Sequence, residues 1–198
     1  MRQTARLITV GTFQNNTVSV LGKVYPATLQ ARVQDLVDND GLDLTVPKTL
    51  ILVPNTLSPT DKGNYTAEQP PYLDFTVIGV PVNQYIVIED LDIVRITGKV
   101  FYENLNYNFI LVKLEHGRND QKIKLIGTLN DSLFVDADGN ERGSAKDKYF
   151  NIEAKVVGNQ LEISDSWRVI EQPILKPKSK TLDTVVSLDA YRNTRYDA

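Results

Sequence analysis

Tyr149-Phe150-Asn151-Ile152-Glu153-Ala154-Lys155-Val156-Val157-Gly158-Asn159-Gln160-Leu161-Glu162-Ile163 decides the fold class. It reads as two strands about a two-residue turn. Gly158 and Asn159 both tolerate positive φ, which a tight hairpin turn requires, and they form the strongest hairpin signal in the chain. Outward from this hairpin the same chemistry recurs. Val, Ile, Thr and Tyr runs are broken by Gly, Asn, Asp and Pro, the pattern of strands and turns.

Strands are predicted at 75–80, 85–88, 93–102, 107–115, 122–129 and 133–135, with short turn-like gaps such as Glu103-Asn104-Leu105-Asn106. Such gaps leave no room for crossover helices, so a mainly antiparallel all-β domain is expected, a sandwich or a barrel. Thr17-Val18-Ser19-Val20-Leu21 and the apolar run Leu50-Ile51-Leu52-Val53 add two strands. Residues 25–38 are the one helix candidate. Pro26 suits a first turn, Leu29, Val33, Leu36 and Val37 fall at helical spacing, and Asn39-Asp40-Gly41 provides a stop. Leu29, Ala31 and Val33 also alternate with polar residues, so a strand competes there.

The expected organisation is an N-terminal arm or edge strand over 1–17, a β domain over 18–170 carrying a long Pro-rich loop at 54–71, and an extended C-terminal arm over 171–198. No internal repeat is evident. Pro173 and Pro177 impose extended backbone at the exit. The arm is nonetheless apolar: Ile174, Leu175, Leu182, Val185, Val186, Leu188, Tyr191 and Tyr196 ask for a surface to cover, at roughly 1.5–3 kcal/mol per large side chain fully buried. These eight residues are the candidate partner-binding set.

The 198 residues contain one histidine and no cysteine, which removes disulfides, thiolate chemistry and most triads. His116 is predicted to sit in a turn. Asp136-Ala137-Asp138-Gly139-Asn140-Glu141 has the alternate carboxylates of a calcium loop, but Glu141 stands where glycine is expected and Asp147 where a bidentate glutamate is. A hairpin loop is the expectation. Glu89, Asp90 and Asp92 read as solvated acids. No phosphate cradle or nucleophile elbow is present. A non-enzymatic protein without metal or cofactor is therefore expected.

Twenty-two basic against 25 acidic side chains give a net charge of −3, and no basic stripe is visible along the chain, so nucleic acid is not expected as a partner. No run approaches the length of a membrane span, and no apolar segment follows the N-terminal arginines as a signal peptide requires. Phe101, Tyr102, Tyr107 and Phe109 flank an Asn-rich turn. Tyr102 and Phe109 on an exposed face would stack on sugars or single-stranded bases, whereas alternation equally allows half of the four to fill the core. Trp167 reads as a core or domain-edge anchor.

In overall character the cysteine-free β domain, the strand-turn-strand around Asp136–Asn140 and the arm with Pro173 and Pro177 resemble small structural proteins of tailed bacteriophages, above all capsid cement or decoration proteins. The resemblance implies a virion protein assembled in the host cytoplasm. It would bind the major capsid protein or other virion subunits, as a homo-oligomer such as a trimer or through multivalent contacts. A tail, neck or baseplate component is the neighbouring expectation. A carbohydrate-binding β-sandwich module, using Tyr102, Tyr107 or loop 54–71, is the expectation from a different class.

Overall fold

The computed structural model describes residues 4–57, 70–81, 91–104, 106–116, 119–129 and 145–169. The first five strands are β1 (Thr4–Gln14), β2 (Thr17–Val20), β3 (Lys23–Leu29), β4 (Lys48–Asn55) and β5 (Asp74–Gly79), with helix α1 (Ala31–Asn39) between β3 and β4. β1 pairs antiparallel with β2 and β4, β2 with β3 and β4 with β5, while β3 runs parallel to β5. The ring therefore closes in the order first, second, third, fifth, fourth, first. A five-stranded Greek-key barrel of this kind is the oligonucleotide/oligosaccharide-binding (OB) type.

The same ring then repeats. β6 (Val94–Asn104), β7 (Phe109–His116), β8 (Asn119–Ile126), β9 (Tyr149–Val157) and β10 (Gln160–Arg168) follow. β6 pairs antiparallel with β7 and β9, β7 with β8 and β9 with β10, and β8 meets β10 in parallel at Ile126 and Glu162. The chain is two barrels of one topology, all-β with a single short helix among the described residues. The single β domain expected over 18–170 is thus divided after β5.

One strand pairing joins the barrels. Thr4, Ala5, Arg6 and Leu7 of β1 stand opposite Thr97, Ile96, Arg95 and Val94 of β6, making one continuous ten-stranded sheet. The N-terminal segment is therefore an interior strand between β4 and β6, not an arm or an edge. Its alternation explains this: Ala5, Leu7 and Thr9 are buried, so Thr4–Gln14 has a core face and cannot lie free in water.

The helix expected over 25–38 forms only from Ala31; Ala31 and Val33, two of the three residues whose alternation suggested a strand, lie in it, and the strand β3 ends at Leu29. Tyr25 and Ala27 alternate into the core as β3, and Val33 anchors α1. The switch falls at Gln30, whose extended backbone ends the strand and caps the helix. Pro26 lies within β3 opposite Thr17, not in a first helical turn.

Each barrel places an inward-facing glycine on its first strand, where another strand approaches closely. A Cβ on Gly11 would lie 2.3 Å from the Ser19 carbonyl oxygen, and one on Gly98 2.5 Å from Val112 Cγ1. Side chains at these positions would push the neighbouring strand away. The core is continuous, running from Leu7, Leu52 and Phe75 to Ile96, Ile123 and Phe150.

Further contacts hold the barrels together. The Tyr25 hydroxyl donates to the Gly158 carbonyl at 3.0 Å. Gln121 Nε2 donates to Pro54 O at 3.1 Å and Asn55 Oδ1 at 2.8 Å, and the Lys124 amide donates to Thr56 Oγ1 at 2.6 Å. Thr56 thereby satisfies a donor on the open edge of β8. The strands expected at 85–88 and 133–135, and residues 58–69 of the expected loop, lie outside the described residues.

Candidate functional site

In the second barrel, β6 turns outward residues to solvent at alternate positions: Arg95, Thr97, Lys99 and Phe101. Between Val100 and Tyr102 the register with β7 slips by one residue. This β-bulge decides the site, because strict alternation would send Tyr102 inward once Phe101 points out. Instead Tyr102 stands opposite Leu111 on the outer face, and both rings are exposed, Phe101 by 41% and Tyr102 by 40%. Glu103 takes the inward phase opposite Ile110, where its carboxylate accepts the Ala145 amide at 3.1 Å.

The turn to β7 is built by Asn104. Its Oδ1 accepts the Tyr107 amide at 3.1 Å, and its Nδ2 donates to the Tyr102 hydroxyl at 3.1 Å. Asn108 closes the turn at φ 51°. Tyr107 stands at the tip and is 61% exposed.

Phe109 and Leu111 lie on the outer face of β7 yet are buried, and neither belongs to the barrel core. The Tyr102 ring packs on Phe109 with centroids 5.8 Å apart. From β8, Lys124 Nζ sits 4.8 Å from the Phe109 centroid and Lys122 Nζ 4.6 Å from that of Phe101. Both are cation–π placements, with the lysine stems laid over apolar surface.

The strand register also aligns the lysines. Lys99 is opposite Lys113, and Lys113 is opposite Lys122, so three ammonium-bearing side chains form one row across β6, β7 and β8. Lys124 follows in the next row, opposite Leu111. Like charges placed directly opposite disfavour the sheet by roughly 0.2–1 kcal/mol per pair. Asp147 relieves one end, binding Lys99 Nζ at 2.9 Å, and that bond holds its carboxyl below the usual carboxylate range. The face therefore offers flat rings beside a positive row, a surface complementary to a polyanion that carries rings.

The eight arm residues Ile174, Leu175, Leu182, Val185, Val186, Leu188, Tyr191 and Tyr196 lie outside the described residues, as do Glu89, Asp90 and Asp136–Glu141. Asp147, last residue of the calcium-like segment, is engaged by Lys99. Asp92 accepts the Thr9 hydroxyl at 2.6 Å at a position of φ 63°. Among the described residues no three His, Cys, Asp or Glu side chains converge as a metal site. His116 closes β7. Trp167 is not a core anchor. A bulge between Ile163 and Asp165 shifts the phase of β10, turning Ser166 inward and leaving Trp167 46% exposed.

The lysine row is what sequence reading missed. Lys99, Lys113, Lys122 and Lys124 are dispersed along 26 positions and look unclustered until the register brings them together. The signal lay in the alternate spacing of Lys122 and Lys124 together with a prediction of which strands pair.

No family model matches the chain, and no curated protein matches it. Among solved structures, a murine DNA-binding protein bound with double-stranded DNA is similar at a TM-score of 0.22 and 11% identity, over 85% of this chain and 98% of that one. A likeness at that level carries no argument about fold or function.

Proposed function

We propose that the protein is a non-enzymatic binding protein whose second barrel takes up single-stranded nucleic acid on the outer face of β6, β7 and β8. One observation carries this reading: the Lys99–Lys113–Lys122 row lies beside exposed Phe101, Tyr102 and Tyr107. It spans the barrel's first three strands and first turn, and so includes the second and third strands and the first turn that the OB architecture uses for oligonucleotides and oligosaccharides. Lysines meet phosphates, and rings stack on bases whatever the sequence. The overall charge of −3 does not oppose this, since binding depends on the field at the face and not on the sum over the chain.

The test is fluorescence anisotropy with a labelled oligothymidine across a salt series. Neutralising four phosphates through Lys99, Lys113, Lys122 and Lys124 gives a log–log salt slope of about −2.8, from about 0.7 per single-strand contact. Lys122→Ala or Lys124→Ala should each reduce the slope by about 0.7, and Tyr107→Ala should weaken binding by about 1–3 kcal/mol with the slope kept. No anisotropy change at low salt would refute the reading. Binding of a neutral oligosaccharide, insensitive to salt, would replace it with the carbohydrate reading.

A second proposal is the virion structural protein, with capsid cement ahead of a tail, neck or baseplate component. Its support is the apolar composition of residues 171–198 and four exposed aliphatic side chains on the first barrel, Val10, Leu21, Val24 and Val46. Light scattering after size exclusion tests it by comparing the full chain with one ending at residue 170. Loss of a closed oligomer on truncation supports it, and an unchanged mass counts against it.

A further inference from the structure

The basic strip continues beyond the lysine row. Along β6 the residues sharing its outer face run from Phe101 through Lys99 and Thr97 to Arg95, about 20 Å at roughly 3.3 Å per residue. At the far end the neighbouring strand is no longer β7 but β1 of the first barrel. There Arg6 stands directly opposite Arg95, and Thr4 opposite Thr97. We propose that a single strand bound on the second barrel continues along β6 onto β1, so that Arg95 and Arg6 neutralise its phosphates and one footprint spans both barrels. This inference rests on the nucleic-acid reading above and adds to it the path and the far contacts.

Three observations carry it. First, Arg6 and Arg95 are a further like-charge pair across strands, after Lys99–Lys113 and Lys113–Lys122, on the face that carries Lys99. Glu153 compensates Arg95 from the β9 side, 3.3 Å from Nε, while Arg6 makes no ion pair among the described residues. An anion between them relieves the repulsion that the sheet register imposes. Second, Arg6 lines a cavity of ≈ 310 Å³ at the fork between the barrels, together with Thr4, Gln30, Gln121 and the apolar Val53 and Ile78. Among the described residues that line it there is no carboxylate, and its polar groups include guanidinium, hydroxyl and amide donors, which suit a phosphate and its sugar. Third, Gln121 ties β8 to Pro54 and Asn55 of β4. The lysine row and the arginine pair are thereby held at a fixed separation, so binding to both needs little reordering.

Oligonucleotide length is the discriminating variable. The experiment uses the full chain and labelled oligothymidines of about four and about twelve nucleotides, within the usual range of OB site sizes. Arg6→Ala should weaken the longer strand on the order of tenfold and lower its salt slope by about 0.7, leaving the shorter strand unchanged. Arg6→Lys should retain most of the affinity, which separates lost charge from a damaged fold. Lys122→Ala should weaken both lengths. An unchanged affinity of Arg6→Ala for the longer strand overturns this inference alone, and so does an equal loss at both lengths. Failure of the unsubstituted chain to bind either length overturns the lysine face as well.

Discussion

Gly11→Ala tests the barrel geometry most directly. A Cβ at this position would lie 2.3 Å from the Ser19 carbonyl oxygen, where ordinary contact begins at 3.4 Å, so β2 must retreat by about 1.1 Å. The obstacle is backbone and cannot rotate away. β2 has only four residues, held to β1 by the pairs Gly11–Val20 to Gln14–Thr17. A displacement of that size strains about two ladder hydrogen bonds at roughly 0.5–1.5 kcal/mol each, and adds roughly 1–3 kcal/mol if one buried group is left unsatisfied. The expected loss is about 3 kcal/mol, or on the order of 10 °C in Tm for a chain of this size. Two controls frame it. Gly22→Ala meets nothing within 4 Å and carries only the left-handed cost at φ +74°, about 1–2 kcal/mol. Gly98→Ala meets the buried side-chain ends of Val112 and Leu114 at 2.5 and 2.7 Å and the Lys113 carbonyl oxygen at 2.9 Å, a milder backbone clash than at Gly11, and should cost about 1–3 kcal/mol as overpacking. Urea unfolding followed by circular dichroism ranks the three. A Gly11→Ala loss no larger than that of Gly22→Ala would refute the closed first barrel as described.

Two further outcomes follow from hydrogen bonds at the seam and beside it. The Tyr72 hydroxyl donates to Asp74 Oδ2 at 2.6 Å, and that bond, more than burial, pushes its pKa up to about 12. The folded state thus holds this proton more tightly than the unfolded chain does. The contribution is complete below about pH 10 and is lost as pH rises through about 12, so Tyr72→Phe should remove a tyrosinate step near pH 12 in a near-ultraviolet titration and flatten that alkaline loss. Gln121→Ala deletes two hydrogen bonds between the barrels and should lower stability by about 1–3 kcal/mol in urea, with the second leaving Asn55 short of a donor.

The fold class was legible because alternation and turn chemistry are local. Gly158 occupies the tight turn at φ 61°, and the strands on either side of it lie where the hairpin signal puts them. The duplication was not legible. A barrel needs inward apolar residues and a glycine corner, which many sequences satisfy, so two rings of one topology need share no visible repeat. The helix candidate was ambiguous for a related reason. Residues 25–38 contain the end of a strand and a helix, and the alternation of Leu29, Ala31 and Val33 crosses the boundary between them, with two of the three falling in α1. Tyr102 and Trp167 were misplaced or left open by register slips in β6 and β10, since a one-residue bulge inverts every later side chain of a strand and leaves composition unchanged.

The same slip in β6 connects fold to function. Without it, Tyr102 would fill the barrel, Glu103 would join the lysine face, and a second carboxylate would stand beside the row that Asp147 already meets at Lys99. With it, the rings gather outside and Glu103 is engaged by the Ala145 amide on the other side. An acidic chain thereby sorts its charges by strand phase: lysines from three strands share one face, and the acid closest to the rings in sequence is turned away from it. Deleting the bulged residue, Phe101, should remove one ring and leave the phase intact, since Tyr102 then follows the inward Val100 directly, stays opposite Leu111, and keeps Glu103 inward. The deletion and Phe101→Ala should therefore weaken oligothymidine binding alike. A much larger loss in the deletion variant would refute the pairing of Tyr102 with Leu111 on the outer face.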